Sequence, residues 1–341
     1  ALSEEGYQKN VFAFRAINLI AKSIASIPIV IRNPESKKED ETLTKIFNRP
    51  NDLQTKSSFL ESVISSLLIS GNAFVHCNDL DELHCLRSDR VRIVPNKNNT
   101  SVSSYIYSVD SSKFSLEKED VFHLKFFNPL NDWYGFGPLQ AASHAIDQYN
   151  EMSKHNLSIL QNGGRPSGCL VVKNAENLTD EQRQQLRSDI HEAYEGSANS
   201  GKIMVLEGGL EWKEMGLSQK DMDFSTGKNI AAREIAQAFG VPPILLGITG
   251  DSSFSSYKEA RLFLWEDTIL PLTDFIRAEF ENWFSFRFKN PVEMHFDSEA
   301  IHALISRREN LWSKISNADF LTVNEKREIL GYPPINEGDK Q

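Results

Sequence analysis

Cysteine is scarce: Cys77, Cys85 and Cys169 are the only three in 341 residues, an odd and small number that excludes a disulfide framework and fits a reducing compartment. Long apolar runs are missing too. No window approaches the ~20 uninterrupted apolar residues of a membrane-spanning helix, so no membrane partner is expected. The most apolar N-terminal stretch, Val11 to Ile31, is broken by Arg15, Asn18 and Lys22 with no small-residue cleavage pattern after it, which argues against export. Positive charge is also short. Thirty-seven Lys and Arg against 47 Asp and Glu leave a net charge of −10, so the chain has no overall basic field to hold nucleic acid by counterion release. Contact with DNA is expected to be weak, transient or local. What is present is ordinary for a folded protein: 40% hydrophobic and 25% charged residues, enough for roughly two domains at ~150 residues each.

The spacing of Val11, Phe14, Ile17, Ile20, Ile24 and Ile27 predicts an amphipathic helix from Tyr7 to Ser26, ended by Pro28 and followed by the β-branched strand Ile29-Val30-Ile31. The charged run Glu35 to Glu41 reads as a surface loop. Ser57 to Ser70 predicts a second helix with Leu60, Val63, Ile64, Leu67 and Leu68 on one side, stopped by Gly71-Asn72. Ala73–Cys77, Leu83–Leu86, Arg90–Val94, Ser104–Tyr107 and Val121–Lys125 have strand composition and predict a small antiparallel sheet with hairpins.

A loop rich in Asn, Gly and Pro, through Asn128-Pro129 and Trp133 to Pro138, leads into a long helix with Leu139, Ala142, Ile146, Tyr149, Met152, Leu157 and Leu160 as its stripe, closed at Gly163-Gly164. Cys169–Lys173, Lys202–Leu206 and Leu210–Met215 read as strands, and Thr179–Tyr194 as a helix capped by Thr179. These make an α/β insertion of about fifty residues between that long helix and a second one, Asp221 to Phe239. Gly240 and Val241-Pro242-Pro243 end the second helix, and the polar loop Thr249 to Ser256 leads into a helix reaching Phe284 that Pro271 is expected to kink. A strand, Val292–Phe296, a helix with Ile301, Leu304, Ile305, Leu311 and Ile315, and a short helix with a Thr322/Glu325 capping box follow. No internal repeat is visible.

Chemical motifs are mostly excluded. His76-Cys77 and His84-Cys85 form the only cluster of soft metal ligands, but strand alternation puts each His and its neighbouring Cys on opposite faces, so at most two of the four share one site. Ordinary strand residues are the better reading, and a metal-dependent hydrolase pocket around them stays as the rival. A phosphate-binding loop ahead of Gly227-Lys228 would need glycine where Met222 stands and Ser or Thr where Asn229 stands. Gly135-Phe136-Gly137 begins like a dinucleotide fingerprint, yet Gln140 replaces its last glycine and Pro138 alters the turn. No nucleophile elbow occurs, and carboxylate pairs such as Glu117 with Glu119 or Glu279 with Glu281 read as solvated faces. No catalytic residue, cofactor or metal site is assigned.

The order of segments resembles the portal protein family of tailed double-stranded-DNA bacteriophages, of the long-tailed phage type. The resemblance rests on Ser70-Gly71-Asn72-Ala73-Phe74, on Val121-Phe122-His123-Leu124-Lys125 with Asn128-Pro129 and Gly135-Phe136-Gly137-Pro138-Leu139, and on the run from Ile235 to Gly247. Thr268-Ile269-Leu270-Pro271, Leu321-Thr322-Val323-Asn324-Glu325 and Gly331-Tyr332-Pro333-Pro334 follow in the same order, so the likeness spans nearly the whole chain.

The resemblance implies an α+β portal fold: an α/β wing in residues 1–136, stem helices in 137–163 and 218–240, an inserted α/β clip in 164–217, a tunnel loop and kinked spine helix in 241–284, and a C-terminal wing segment, 285–341, leading to a helical crown of which only part is in this sequence. It implies a non-enzymatic homo-oligomeric ring of about twelve subunits at one capsid vertex, the virion portal, assembled in the host cytoplasm. Its partners would be the terminase large subunit, the major capsid or scaffolding protein, a head-completion or adaptor protein, and double-stranded DNA passing without sequence specificity. Ser252, Ser253, Phe254, Ser255, Ser256 and Lys258 would form the DNA-tunnel loop, and Arg165, Lys173, Arg183 and Arg187 the clip's partner surface. A net negative charge suits such a channel, because a field that repels phosphate lets DNA move without being trapped. The alternative within the same class is another phage head–tail protein, which would share the ring but lack the inserted clip.

Overall fold

The side chain of Asn10 sets where the first long helix begins. Its Oδ1 accepts the backbone N–H of Phe12 at 3.1 Å and of Ala13 at 3.0 Å, an N-cap that satisfies two otherwise orphaned donors. The helix, α1, therefore runs Val11–Ala25, and the preceding residues Leu2–Gln8 form a separate π-type turn instead of the continuous helix from Tyr7 that spacing predicts. These coordinates are a computed structural model that describes residues 2–161, 168–172, 179–181, 184, 185, 188, 210–214, 224–248, 254–297, 301–318, 320–330, 334 and 335. The chain divides into two units, one of Ala1–Phe14 with Ala141–Ala238 and one of Arg15–Gln140 with Phe239–Gln341.

In the larger unit, α1 buries Ala16, Ile17, Ile20, Ala21 and Ile24, the residues its three- and four-residue spacing lines up. Strand β1, Ile29–Arg32, pairs antiparallel with Glu293–Phe296 from the far end of the sequence, in the register Ile29 to Phe296. The helix α2, Glu41–Asn48, follows the expected surface loop in a stretch to which the sequence assigned no element. Asp40 caps it through the N–H groups of Thr42 and Leu43, but only Leu43 and Phe47 are buried, too few to show a period in the sequence. Helix α3, Lys56–Ser70, is capped by Thr55 and stops at Gly71, whose φ of 73° few other residues tolerate.

Beyond it the expected single sheet is two. Strands β2 (Asn72–Cys77), β3 (Leu83–Leu86), β4 (Val91–Pro95), β5 (Val102–Val109), β6 (Ser112–Glu117) and β7 (Val121–Lys125) form antiparallel sheets of order β3-β2-β7 and β4-β5-β6. Strand β6 is almost wholly exposed, so no apolar alternation announced it. Phe74, Leu86, Val91, Ile93, Tyr105 and Val121 from both sheets make one cluster, against which Trp133 and Tyr134 pack.

The expected long helix appears as a short turn, α4 (Pro138–Ala141), and, in the smaller unit, α5 (Ser143–Gln161). Strands β8 (Gly168–Val172) and β9 (Leu210–Glu214) pair antiparallel, Gly168 facing Glu214, and helix α6 (Phe224–Ala238) packs on α5. The residues expected to form a strand at Lys202–Leu206 lie outside the described residues, as does most of the helix expected at Thr179–Tyr194. Helices α5 and α6 approach closely enough that a Cβ on Gly227 would meet Met152 Cε at 2.7 Å. Lys228 Nζ sits 4.8 Å from the centre of the Tyr149 ring, and Asn10 donates to Asn150 at 3.3 Å.

Back in the larger unit, helix α7 (Phe254–Phe263) passes through a π-type turn, Leu264–Ile269, into α8 (Leu270–Phe288). The irregularity expected at Pro271 is that turn. Proline offers no N–H and its ring collides with the carbonyl four residues back, and the wider turn, with Leu270 N–H bonded to the Trp265 carbonyl, relieves the crowding. Helix α8 carries the aromatic core: the Phe280 ring stacks on Phe122 at 4.2 Å and meets Phe47 edge-on at 5.6 Å, with Phe284 and Trp283 alongside. Helices α9 (Ile305–Ser316) and α10 (Val323–Ile329) follow the strand β10, Glu293–Phe296. The Thr322/Glu325 capping box is present as the sequence predicts, with Glu325 N–H donating to Thr322 Oγ1 and Thr322 N–H to Glu325 Oε2.

Candidate functional site

The glycines and asparagine of the family-like segments meet in one place within the larger unit. Gly71 ends α3 in the left-handed region, and its backbone lies against Gly135 and Gly137 so closely that a Cβ on Gly71 would come 2.6 Å from the Gly135 carbonyl carbon and the Gly137 nitrogen. Asn72, buried, fastens this crossing: its Nδ2 donates to the carbonyls of Ser70 (2.8 Å) and Gly135 (3.3 Å), and its Oδ1 accepts the N–H of Gly135 at 2.8 Å. His123 Nε2 lies 3.1 Å from the same Oδ1. Because that oxygen can only accept, His123 carries its proton on Nε2 and is neutral elsewhere on the ring. Burial, helped by the nearby Lys125 charge, pushes the His123 pKa down to about 3, and its ring stacks on Phe74 at 4.2 Å. The loop so held ends at Gly137, whose N–H donates to Gln140 Oε1 at 2.9 Å, and Pro138 opens α4 with a φ suited to a helix start. The crossing thus ties the end of α3 to the loop that leads into Pro138.

The histidine–cysteine cluster resolves differently from a metal centre. Register places His76 opposite His84, while Cys77 and Cys85, paired with Leu83 and Val75, share the other face of the β2–β3 hairpin. Both thiols are pushed up to about 11 by burial, which leaves them protonated at neutral pH and poor as nucleophiles or ligands. His84 faces Glu82 at 3.3 Å, and among the described residues no group of three His, Cys, Asp or Glu is placed to hold a metal ion. No helix of the described residues is long and apolar enough to cross a membrane.

Of the residues expected at the tunnel loop, Ser252 and Ser253 lie outside the described residues. Phe254, Ser255 and Ser256 do not belong to a loop: they form the first turn of α7, with Lys258 exposed just after it. Serines compete poorly for a helix interior but are at home in a first turn, which is why composition alone read the segment as irregular. The expected clip residues Arg165, Lys173, Arg183 and Arg187 all lie outside the described residues.

The sequence matches the phage portal protein family over residues 12–331. The chain belongs to that family. An uncharacterized protein of Rickettsia bellii (strain RML369-C) is 43% identical over 349 residues, covering 98% of this chain and 90% of the relative. The portal protein of Enterobacteria phage HK97 is 24% identical over 345 residues, covering 96% and 79%. Among solved structures, the portal fold is shared with the neck of a GTA particle: the empty neck computed with C6 symmetry gives a TM-score of 0.77 at 37% identity over 98% of this chain and 94% of that one, and the native neck computed with C12 symmetry gives 0.75 at 36% over 98% and 93%. In this portal chain Asn72 and His123 stood within the family-like segments, but sequence reasoning gave neither a role. Beyond the resemblance, Gly71-Asn72 reads as a helix stop, because the partner that gives Asn72 its role, Gly135, stands 63 positions away.

Proposed function

We propose that this chain is the subunit of a closed portal ring whose hole carries double-stranded DNA into and out of a capsid at one vertex, and that it has no catalytic activity of its own. The observation that carries the reading is the likeness, at 36–37% identity over 98% of the chain, to a neck solved with sixfold and twelvefold symmetry. In this reading α5 and α6 are the stem helices, the segment 164–217 between them is the clip that docks the terminase large subunit and later a head-completion protein, and the helix pair from Phe254 to Phe288 is the spine. Ser252 to Ser256 and Lys258 are the part of the chain that faces the duplex, and the wing, residues 1–136, meets capsid or scaffolding protein. The interlocked Gly71, Asn72 and Gly135 supply stiffness to the wing, where α3 and the loop after β7 cross. Purified protein viewed by negative-stain microscopy and sized by light scattering is expected to contain closed rings with an axial hole. Particles that stay monomeric at every concentration and salt would end this reading.

A second reading concerns the particle. The GTA neck at 36–37% stands well above the phage portal proteins at 21–24%, which favours a gene transfer agent over an infectious phage. Sequencing the DNA inside particles that contain this chain separates the two: fragments drawn from across a host genome support it, and one recurring phage genome rejects it.

A further inference from the structure

A cavity of about 350 Å³ in the larger unit is lined by three cations in a chain whose net charge is −10. Arg15 and Lys22 stand seven positions apart on α1 and therefore share one face of it, while Tyr257, Arg261, Leu264 and Trp265 share one face of α7 and the π turn. Leu264 and Trp265 are buried and form an apolar floor, and the three cations at the rim are exposed. Among the described residues none of the three side chains is in a hydrogen bond or ion pair, and no Asp or Glu lines the cavity. Cations gathered around an apolar floor suit an anionic segment that also carries an apolar side chain. A nucleic-acid backbone would answer the charges and leave the floor idle.

The same unit presents such a segment. The tip of the β2–β3 hairpin reads Asn78-Asp79-Leu80-Asp81-Glu82, with Leu80 79% exposed between two aspartates. The tip is rigid: Asn78 Oδ1 accepts the N–H groups of Leu80 (3.0 Å) and Glu82 (2.8 Å), Asn78 N–H donates to the Glu82 carbonyl at 3.0 Å, and Asp81 N–H to the Asn78 carbonyl at 3.0 Å. Little conformational freedom is left to lose on docking. We propose that the Asp79-Leu80-Asp81 tip of one copy docks into the Arg15, Lys22 and Arg261 cavity of the next, Leu80 on the apolar floor and Asp79 at the cations, while Asp81 stands 4.0 Å from Arg287 of its own chain. Knob and cavity are different surfaces of one chain, which is the head-to-tail arrangement that closes a ring by rotation. The proposal rests on the ring reading above and adds to it which surfaces meet.

Charge reversal tests it with residues that are exposed and outside the core. Arg261→Glu and Asp79→Lys are each expected to raise the concentration needed for ring assembly by about tenfold or more, an effect that weakens as salt is added, and the combined variant to recover most of the loss. A mixture of Leu80→Cys and Tyr257→Cys proteins is expected to form a disulfide between copies on mild oxidation. Rings that assemble as well in both single variants as in the unchanged protein would overturn the proposal and leave the portal reading standing. So would loss in the single variants without recovery in the pair. If Arg261→Glu rings assemble normally and bind a short fluorescent duplex more weakly, the cavity takes phosphate and the proposal is wrong. An unchanged protein that never forms rings removes the portal reading itself, and with it this contact.

Discussion

Gly135→Ala is expected to destabilise the protein by about 3 kcal/mol or more, enough to unfold much of the larger unit at physiological temperature. The Cβ it adds would overlap the Gly71 carbonyl oxygen and lie 2.7–2.8 Å from the backbone of Phe126, and none of these neighbours is the free end of a side chain that can swing aside. Relief requires β7 or the end of α3 to shift, and with them the hydrogen bonds of Asn72 to Gly135. Gly247→Ala is the matched control. Its φ of 77° strains any side chain, yet the added Cβ meets nothing within 4 Å, so only the conformational cost of about 1–2 kcal/mol applies. Urea titrations of the two variants separate steric overlap from backbone strain. Equal losses would mean that the close crossing of Gly71 and Gly135 is softer than its geometry states.

That crossing also marks the limit of what was legible in the sequence. Helix α3 and strands β3 and β7 are found at or within a residue of their predicted ends because each carries a run of apolar residues with its own period, and the Thr322/Glu325 box is found because both partners sit three positions apart. Helix α2 and strand β6 have no such internal signal. Two buried residues hold α2, against partners such as Phe280 that no local window contains, and β6 is held by its hydrogen bonds to the edge of β5, which leave no apolar alternation in its own sequence. The same holds for the cavity cations. Arg15 and Lys22 share a helix face in plain view, but Arg261 joins them only through the fold. Family likeness carried the functional reading where local chemistry was silent, because a ring subunit's purpose lies in surfaces that match a neighbour and leave no catalytic residue types to recognise.

His123 gives the second large effect, and its sign follows from the direction of its shift. An imidazole held at about 3 in the folded chain and near 6.5 when unfolded takes up its proton more readily in the unfolded state at every pH between those values. Its contribution is therefore complete above about pH 6.5 and is lost as the pH falls toward 3. At ~1.4 kcal/mol per unit, the loss reaches about 3 kcal/mol by pH 4. Carboxylates in ion pairs, such as Glu293 with Lys37, add their own loss lower in the same range, so the comparison has to be between variants. Replacing His123 with glutamine keeps a donor for Asn72 Oδ1 and removes the titrating ring. Stability measured by urea titration at pH 7 and pH 4 is expected to fall by about 3 kcal/mol more in the unchanged protein than in His123→Gln. Parallel losses in the two would show that the imidazole is hydrated in the folded chain, and the hydrogen-bonded crossing at Asn72 would then lie open to water.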